Sequence, residues 1–154
     1  MNRVLRGTLL VLVVLSGLTG LMFAAMRYLM TSDDPFAAFH HPWQPSLLAA
    51  HVLVAPALLF TLGWVFANHV APQLGQTRHA RFSGIALVVT IASMTASGYL
   101  LQVASGPGWR LGYAWVHGLS GTLFLLLFGA HAASAVVRSA DRKRHGLEAR
   151  KPAA

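Results

Sequence analysis

The sequence predicts an all-α membrane protein, a four-helix up-down bundle. Three observations predict it. Only 10% of the 154 residues are charged and 55% are hydrophobic, whereas a soluble domain carries about 25% charged residues. Mean hydropathy is +0.56. The apolar residues gather into four stretches, each near the roughly 20 residues that cross a bilayer. Helices are the expected spanning element because lipid offers the backbone no hydrogen-bond partner. The whole chain, 1–154, reads as one transmembrane domain without internal repeat, low-complexity tract or second soluble domain.

The first stretch covers residues 8–30, behind Arg3 and Arg6. A basic start followed by an apolar run also suits a secretory signal. This run is longer than a signal core and lacks an A-x-A site, so an uncleaved first helix is expected. Residues 31–46 form a loop. Ser32 or Asp33 could cap a short helix with Pro35 in its first turn, and Phe36, Phe39 and Trp43 would hold it in the membrane interface. The second stretch, 47–69, contains Pro56, which removes a backbone bond and favours a kink. The third is 82–103. The fourth is 114–137, preceded by the aromatic anchor Trp109, Tyr113 and Trp115. Residues 138–154 form a basic tail.

Loop charges orient the bundle. The net charge is +8. Arg3, Arg6, Arg78, Arg81, Arg138, Arg142, Lys143, Arg144, Arg150 and Lys151 all fall on one side of a four-crossing path. Arg27 and Arg110, with Asp33 and Asp34, fall on the other. Both termini are therefore expected in the cytoplasm. The basic excess is a topology signal and does not call for nucleic acid. No cysteine is present, which excludes thiolate metal sites, iron–sulfur clusters and covalently attached haem in this chain.

The chemistry lies in the histidines. There are eight, and ionisable residues inside spans are costly enough to mark function. His51 and His69 lie on the second stretch, His117 and His131 on the fourth. At about 100° per residue, the first pair returns to one direction and the second comes within about 40° of it. The separations are about 27 and 21 Å along the axis. In an up-down bundle these two helices run parallel, so the imidazoles fall into two levels. His51 and His117 form the outer level, His69 and His131 the inner one. Two imidazoles per level suit haem iron, which takes axial nitrogens on opposite faces of a flat apolar ring. Zinc wants three or four compact ligands. The spacings differ by four residues, about 6 Å of rise, to be taken up by tilt, by Pro56 or by another inner ligand, with His79 in reserve.

Trp115-Val116-His117-Gly118 through Gly129-Ala130-His131 resembles the ligand helix of di-haem b-type membrane cytochromes. The layout of two histidines on each of two parallel helices is similar to the core of cytochrome b in quinol-oxidising complexes, and the size to bacterial four-helix electron-transfer subunits. The chain departs from those relatives in two ways: the first helix lacks a histidine and the spacing in the second is longer. The resemblance implies two haem b groups and transmembrane electron transfer between the quinone pool and a redox partner protein, in a bacterial inner membrane. No residue would perform covalent chemistry, since the haem carries the redox step.

Supporting residues are less specific. Gly118, Gly121 and Gly129 would let a ring or a neighbouring helix come close. Ala86, Thr90, Ser93 and Ser97 form a small stripe that either packs or accepts an imidazole N–H. Arg110 and Arg27, or Arg78, Arg81 and Arg138, could meet haem propionates or act as snorkelling anchors. His40, His41, His79 and His145 read as solvated loop histidines, with His40 or His41 as an alternative proton acceptor for a quinol. Two other functions fit the composition: a haem-free anchor or assembly subunit of a larger complex, and a small transporter with a histidine relay. Transport favours titratable groups at mid-membrane, and the midspans here are apolar.

Overall fold

The computed structural model describes residues 3–34, 36–73 and 78–148, and the side-chain surroundings of these except 73, 78–83, 135 and 138–148. Among the described residues there is helix and turn but no strand. Helix α1 is Arg3–Leu29. Helix α2 is Gln44–Val65 and runs on through a π turn, Phe66–Val70, into one last α turn, Ala71–Gln73. Helix α3 is Arg78–Val103 and α4 is Pro107–Glu148. Four of the helices are long and apolar enough to cross a membrane, over Arg3–Leu29, Gln44–Val70, Gly84–Val103 and Pro107–Ser134. The chain is a multi-pass membrane protein by length and composition.

The helices begin earlier than the apolar runs, and α4 ends later. A hydropathy boundary marks where lipid-soluble side chains stop, whereas backbone bonding continues wherever propensity allows. Pro45 and Pro107 stand in the first turns of α2 and α4, where a missing N–H costs nothing. Helix α2 passes through Pro56 without a break. Its departure from α geometry comes ten residues later, in the π turn. Helix α4 is 42 residues long, or about 63 Å. It carries the tail as far as Glu148 as helix, where the sequence suggests a separate segment.

The loop after α1 does not form the expected interfacial helix among its described residues. Ser32 and Asp34 accept the N–H groups of Asp34 and Phe36 at 3.2 and 2.9 Å. Short polar side chains used this way close turns and compete with helix. Arg27 of α1 donates to the Ala38 carbonyl at 3.3 Å.

The chain divides into two compact units, residues 1–81 and 82–154. Each is a helical hairpin: α1 with α2, and α3 with α4. In the first, Leu9, Val13, Met26 and Leu58 are buried; in the second, Phe124 is 2% exposed and its ring lies 5.8 Å from that of Phe128. Much of the described surface is apolar. Leu53 and Phe60 in the first unit and Leu119 and Leu126 in the second are each at least 65% exposed, which suits lipid and not water.

Candidate functional site

The two hairpins share one local construction. In the first, the His51 ring of α2 lies against α1. Its Nδ1 is 3.0 Å from the Ser16 carbonyl oxygen and 3.2 Å from Thr19 Oγ1. In the second, the His117 ring of α4 lies against α3, with Nδ1 2.9 Å from the Met94 carbonyl oxygen. A carbonyl only accepts, so Nδ1 carries the proton in both rings. In the neutral form of a ring bonded this way the lone pair belongs to Nε2. A histidine that ligates metal is ordinarily set up this way, with its other ring nitrogen donating to a carbonyl or carboxylate.

A glycine makes each approach possible. In an α-helix the carbonyl of residue i already accepts the N–H of residue i+4. For Ser16 that residue is Gly20, and for Met94 it is Gly98. The imidazole takes the second lone pair of the same oxygen, a position a side chain at i+4 would cover. A Cβ on Gly20 would lie 2.9 Å from His51 Cε1 and 3.2 Å from Nδ1; one on Gly98 would lie 2.9 Å from both of these atoms of His117. Nothing larger than hydrogen fits there unless the ring moves.

A hydroxyl completes the match one residue before each glycine. Thr19 Oγ1 reaches the Leu15 and Ser16 carbonyls at 2.7 and 3.1 Å. Ser97 Oγ reaches those of Ser93 and Met94 at 2.6 and 3.2 Å. The construction is therefore a carbonyl, a hydroxyl at i+3 and a glycine at i+4 on one helix, and a histidine on the next. This is an internal repeat of structure that the sequence does not show as a repeat. Ser16, Thr19, Gly20, Met94 and Gly98 are functional candidates the sequence analysis missed. The available signal was a Ser/Thr-Gly pair within a span, facing a histidine across a hairpin.

No family model, curated protein or solved structure matches this chain. The site must therefore be judged on its geometry alone.

His131 is half-buried on α4, and its carbonyl accepts the Ser134 hydroxyl at 2.9 Å. It follows His117 by fourteen residues, and Gly84 precedes Gly98 by the same fourteen. Equal offsets along a regular antiparallel pair would bring Gly84 to the depth of His131. The first hairpin differs. Fourteen residues after His51 comes Val65, the last residue of α2. His69 is exposed and lies inside the π turn. The angular relation between His51 and His69 assumes an unbroken α-helix, and a π turn, with i→i+5 bonding, interrupts it.

The lesser candidates have local roles. Gly121 packs on Met94, whose Sδ would be 3.6 Å from a Cβ, while Gly118 and Gly129 have nothing within 4 Å of theirs. Arg110 donates to the Ala104 carbonyl at 3.1 Å and so pins the α3–α4 turn. Of the α3 stripe, Thr90 and Ser97 are buried, and their hydroxyls bond back to their own helix. His40 and His41 are half-buried and more integrated than solvated loop residues. His40 N–H donates to Oε1 of the fully buried Gln44 at 2.9 Å, and His41 Nδ1 accepts from Trp43 N–H at 3.2 Å. The side chains of His79, His145, Arg78, Arg81 and Arg138 lie outside the described residues.

Proposed function

We propose that this chain is a di-haem cytochrome b that carries electrons across a bacterial inner membrane, exchanging them between the quinone pool and a partner redox protein. One observation carries the reading: an imidazole held by its Nδ1–H against a glycine-exposed carbonyl, built independently in both hairpins. In that tautomer Nε2 is the nitrogen through which His51 and His117 would ligate a metal. A membrane interior and a flat apolar macrocycle are compatible, whereas a solvated ion would have to shed its water.

In this reading His51 and His117 would hold the outer haem, and His69 and His131 the inner one. Arg110 and Gly121 belong to the haem surroundings. The bound haem supplies the one-electron chemistry. The chain's residues hold the imidazoles in one tautomer, fix the ring planes through Ser16 and Met94, and exclude water with the apolar helix faces. The basic residues near the termini support a cytoplasmic side for both ends.

The test is a reduced-minus-oxidised spectrum with haem quantitation on protein from membranes fully supplied with haem. Two haems per chain with b-type bands and bis-imidazole ligation are expected. Protein that folds in the membrane without those bands removes the reading and leaves the anchor-subunit function.

A further inference from the structure

We infer that Gln44 is a positioning residue for His51, acting through a polar strap that ties the start of α2 to the end of α1. The inference rests on the reading of His51 as a haem ligand, to which it adds a residue that keeps the ligand in register. The two hairpins join their helices differently. Only residues 104–106 separate α3 from α4, and so short a connection allows two antiparallel helices few arrangements. Residues 30–43 separate α1 from α2. A connection of that length does not by itself fix how α2 is turned about its axis.

A run of hydrogen bonds supplies what the connection lacks. Arg27, in the last turn of α1, donates from Nη1 to the Ala38 carbonyl at 3.3 Å. Two residues on, His40 N–H donates to Gln44 Oε1 at 2.9 Å. Gln44 N–H donates to the His41 carbonyl at 3.1 Å, so this residue is tied to the loop by main chain and side chain together. Trp43, just before it, gives the helix no side-chain cap. Gln44 is 0% exposed. Its Nε2 and His40 Nδ1 are buried without a hydrogen-bond partner among the described residues. Burying an amide donor in that state opposes folding, and a methionine of similar shape would avoid the cost. What Gln44 has and methionine lacks is the oxygen that holds His40.

Helix geometry carries the effect of the strap to the imidazole. Gln44 and His51 lie on one uninterrupted α-helix, two turns apart. They are separated by about 10.5 Å along its axis and by only about 20° around it. Both therefore stand on the face of α2 that meets α1. A helix turns as a unit over so short a length. Rotating α2 by about 20° would carry a ring about 5–6 Å from the axis through about 2 Å. The bond from His51 Nδ1 to the Ser16 carbonyl is 3.0 Å long, and a displacement of that size breaks it. The approach to Thr19 Oγ1, at 3.2 Å from the same nitrogen, is lost with it.

The test is deuterium exchange at the ring nitrogen, read by nitrogen NMR on the reduced full chain in lipid nanodiscs with isotope-labelled histidine. Gln44→Met should speed exchange of His51 Nδ1–H severalfold, as the loss of a hydrogen bond does, and leave that of His117 unchanged. Leu9→Ala loosens the same hairpin at a buried residue of α1 far from the strap, and should leave both rings as they are. If Gln44→Met does not fold, Arg27→Met, at the exposed end of the strap, decides, with the same change expected. Wild-type exchange at His51 in the deciding variant, equal acceleration at His117, or equal acceleration by Leu9→Ala would overturn the inference. The nitrogen is read with or without iron. A haem-loaded protein whose His51 ignores the strap keeps the electron-transfer reading and loses the role of Gln44. A haem-free protein whose His51 responds keeps that role and loses the electron-transfer reading.

Discussion

The two hairpins are alike at their turn ends and unlike at the other. Near the turns, each sets a histidine against a carbonyl that a glycine leaves open, with a hydroxyl between. Away from the turns, α4 continues as α-helix through His131, while the helix that began as α2 passes into a π turn around His69. The sequences that achieve the shared construction are Ser-Gly-Leu-Thr-Gly at 16–20 and Met-Thr-Ala-Ser-Gly at 94–98. They share only the last glycine and a hydroxyl before it. The lesson is that this site needs two small chemical features at fixed spacing on one helix and an imidazole on its neighbour. The other residues are free to serve lipid.

The largest expected effects break the shared construction outright. His117→Ala should eliminate the outer haem and leave much of the inner one, and His131→Ala should do the reverse, both read as haem per chain. If either variant keeps two haems with unaltered spectra, the ligand assignment is wrong. Next come the glycines. Gly20→Ala and Gly98→Ala put a Cβ 2.9 Å from an imidazole. Overpacking of that kind costs about 1–3 kcal/mol or turns the ring away, so each should lower outer-haem content severalfold. Gly63→Ala and Gly112→Ala, where nothing lies within 4 Å, should retain full haem and gain up to about 1 kcal/mol of helix stability, measured by thermal melting.

The difference between the hairpins can be sharpened separately. Deleting Asn68 should return the π turn to α geometry and turn His69 by some tens of degrees, less than the roughly 100° that one residue contributes in an unbroken α-helix. Inner-haem content should then fall while the outer spectrum is unchanged; an unchanged inner haem would show that His69 is not its ligand. The smallest expected effect concerns the hydroxyls. Thr19 Oγ1 lies within hydrogen-bond distance of His51 Nδ1, whereas Ser97 Oγ bonds only to carbonyls of its own helix. Thr19→Val should move the outer-haem midpoint potential by a few tens of millivolts, since one hydrogen bond is worth about 0.5–1.5 kcal/mol and 59 mV is a factor of ten for one electron. Ser97→Ala should move it less. Equal shifts, read by redox titration, would mean that both hydroxyls act only through their shared carbonyls.

Much of the fold was legible because its cause is local. A run such as Leu9 to Leu18 states its solvent in its side chains. The four spans follow from hydropathy, and so does the placing of histidines near span ends. The 31–46 loop was harder, because Ser32 and Asp34 have equal chemistry for capping a helix and closing a turn, and neighbouring main-chain groups decided for the turn. The π turn was hard to read for a different reason: Pro72 removes the bond to the Asn68 carbonyl and so disturbs the helix there, but a proline does not say whether the helix kinks, stops or takes one extra residue. Arg110 and Gly121 read as haem surroundings because cationic and small residues suit propionates and rings. The structure shows what they do within their own hairpin, pinning a turn and packing on Met94.

The sequence by itself determined the solvent, the number of spans and which side chains can bind metal, because transfer into lipid and imidazole basicity belong to residues and not to arrangements. Only the tertiary structure decided which imidazole nitrogen holds the proton. That depends on a carbonyl delivered by another helix at 3.0 Å for His51 and 2.9 Å for His117. It also revealed why Gly20 and Gly98 matter, since the absence of a side chain acquires meaning only when a neighbour fills the space.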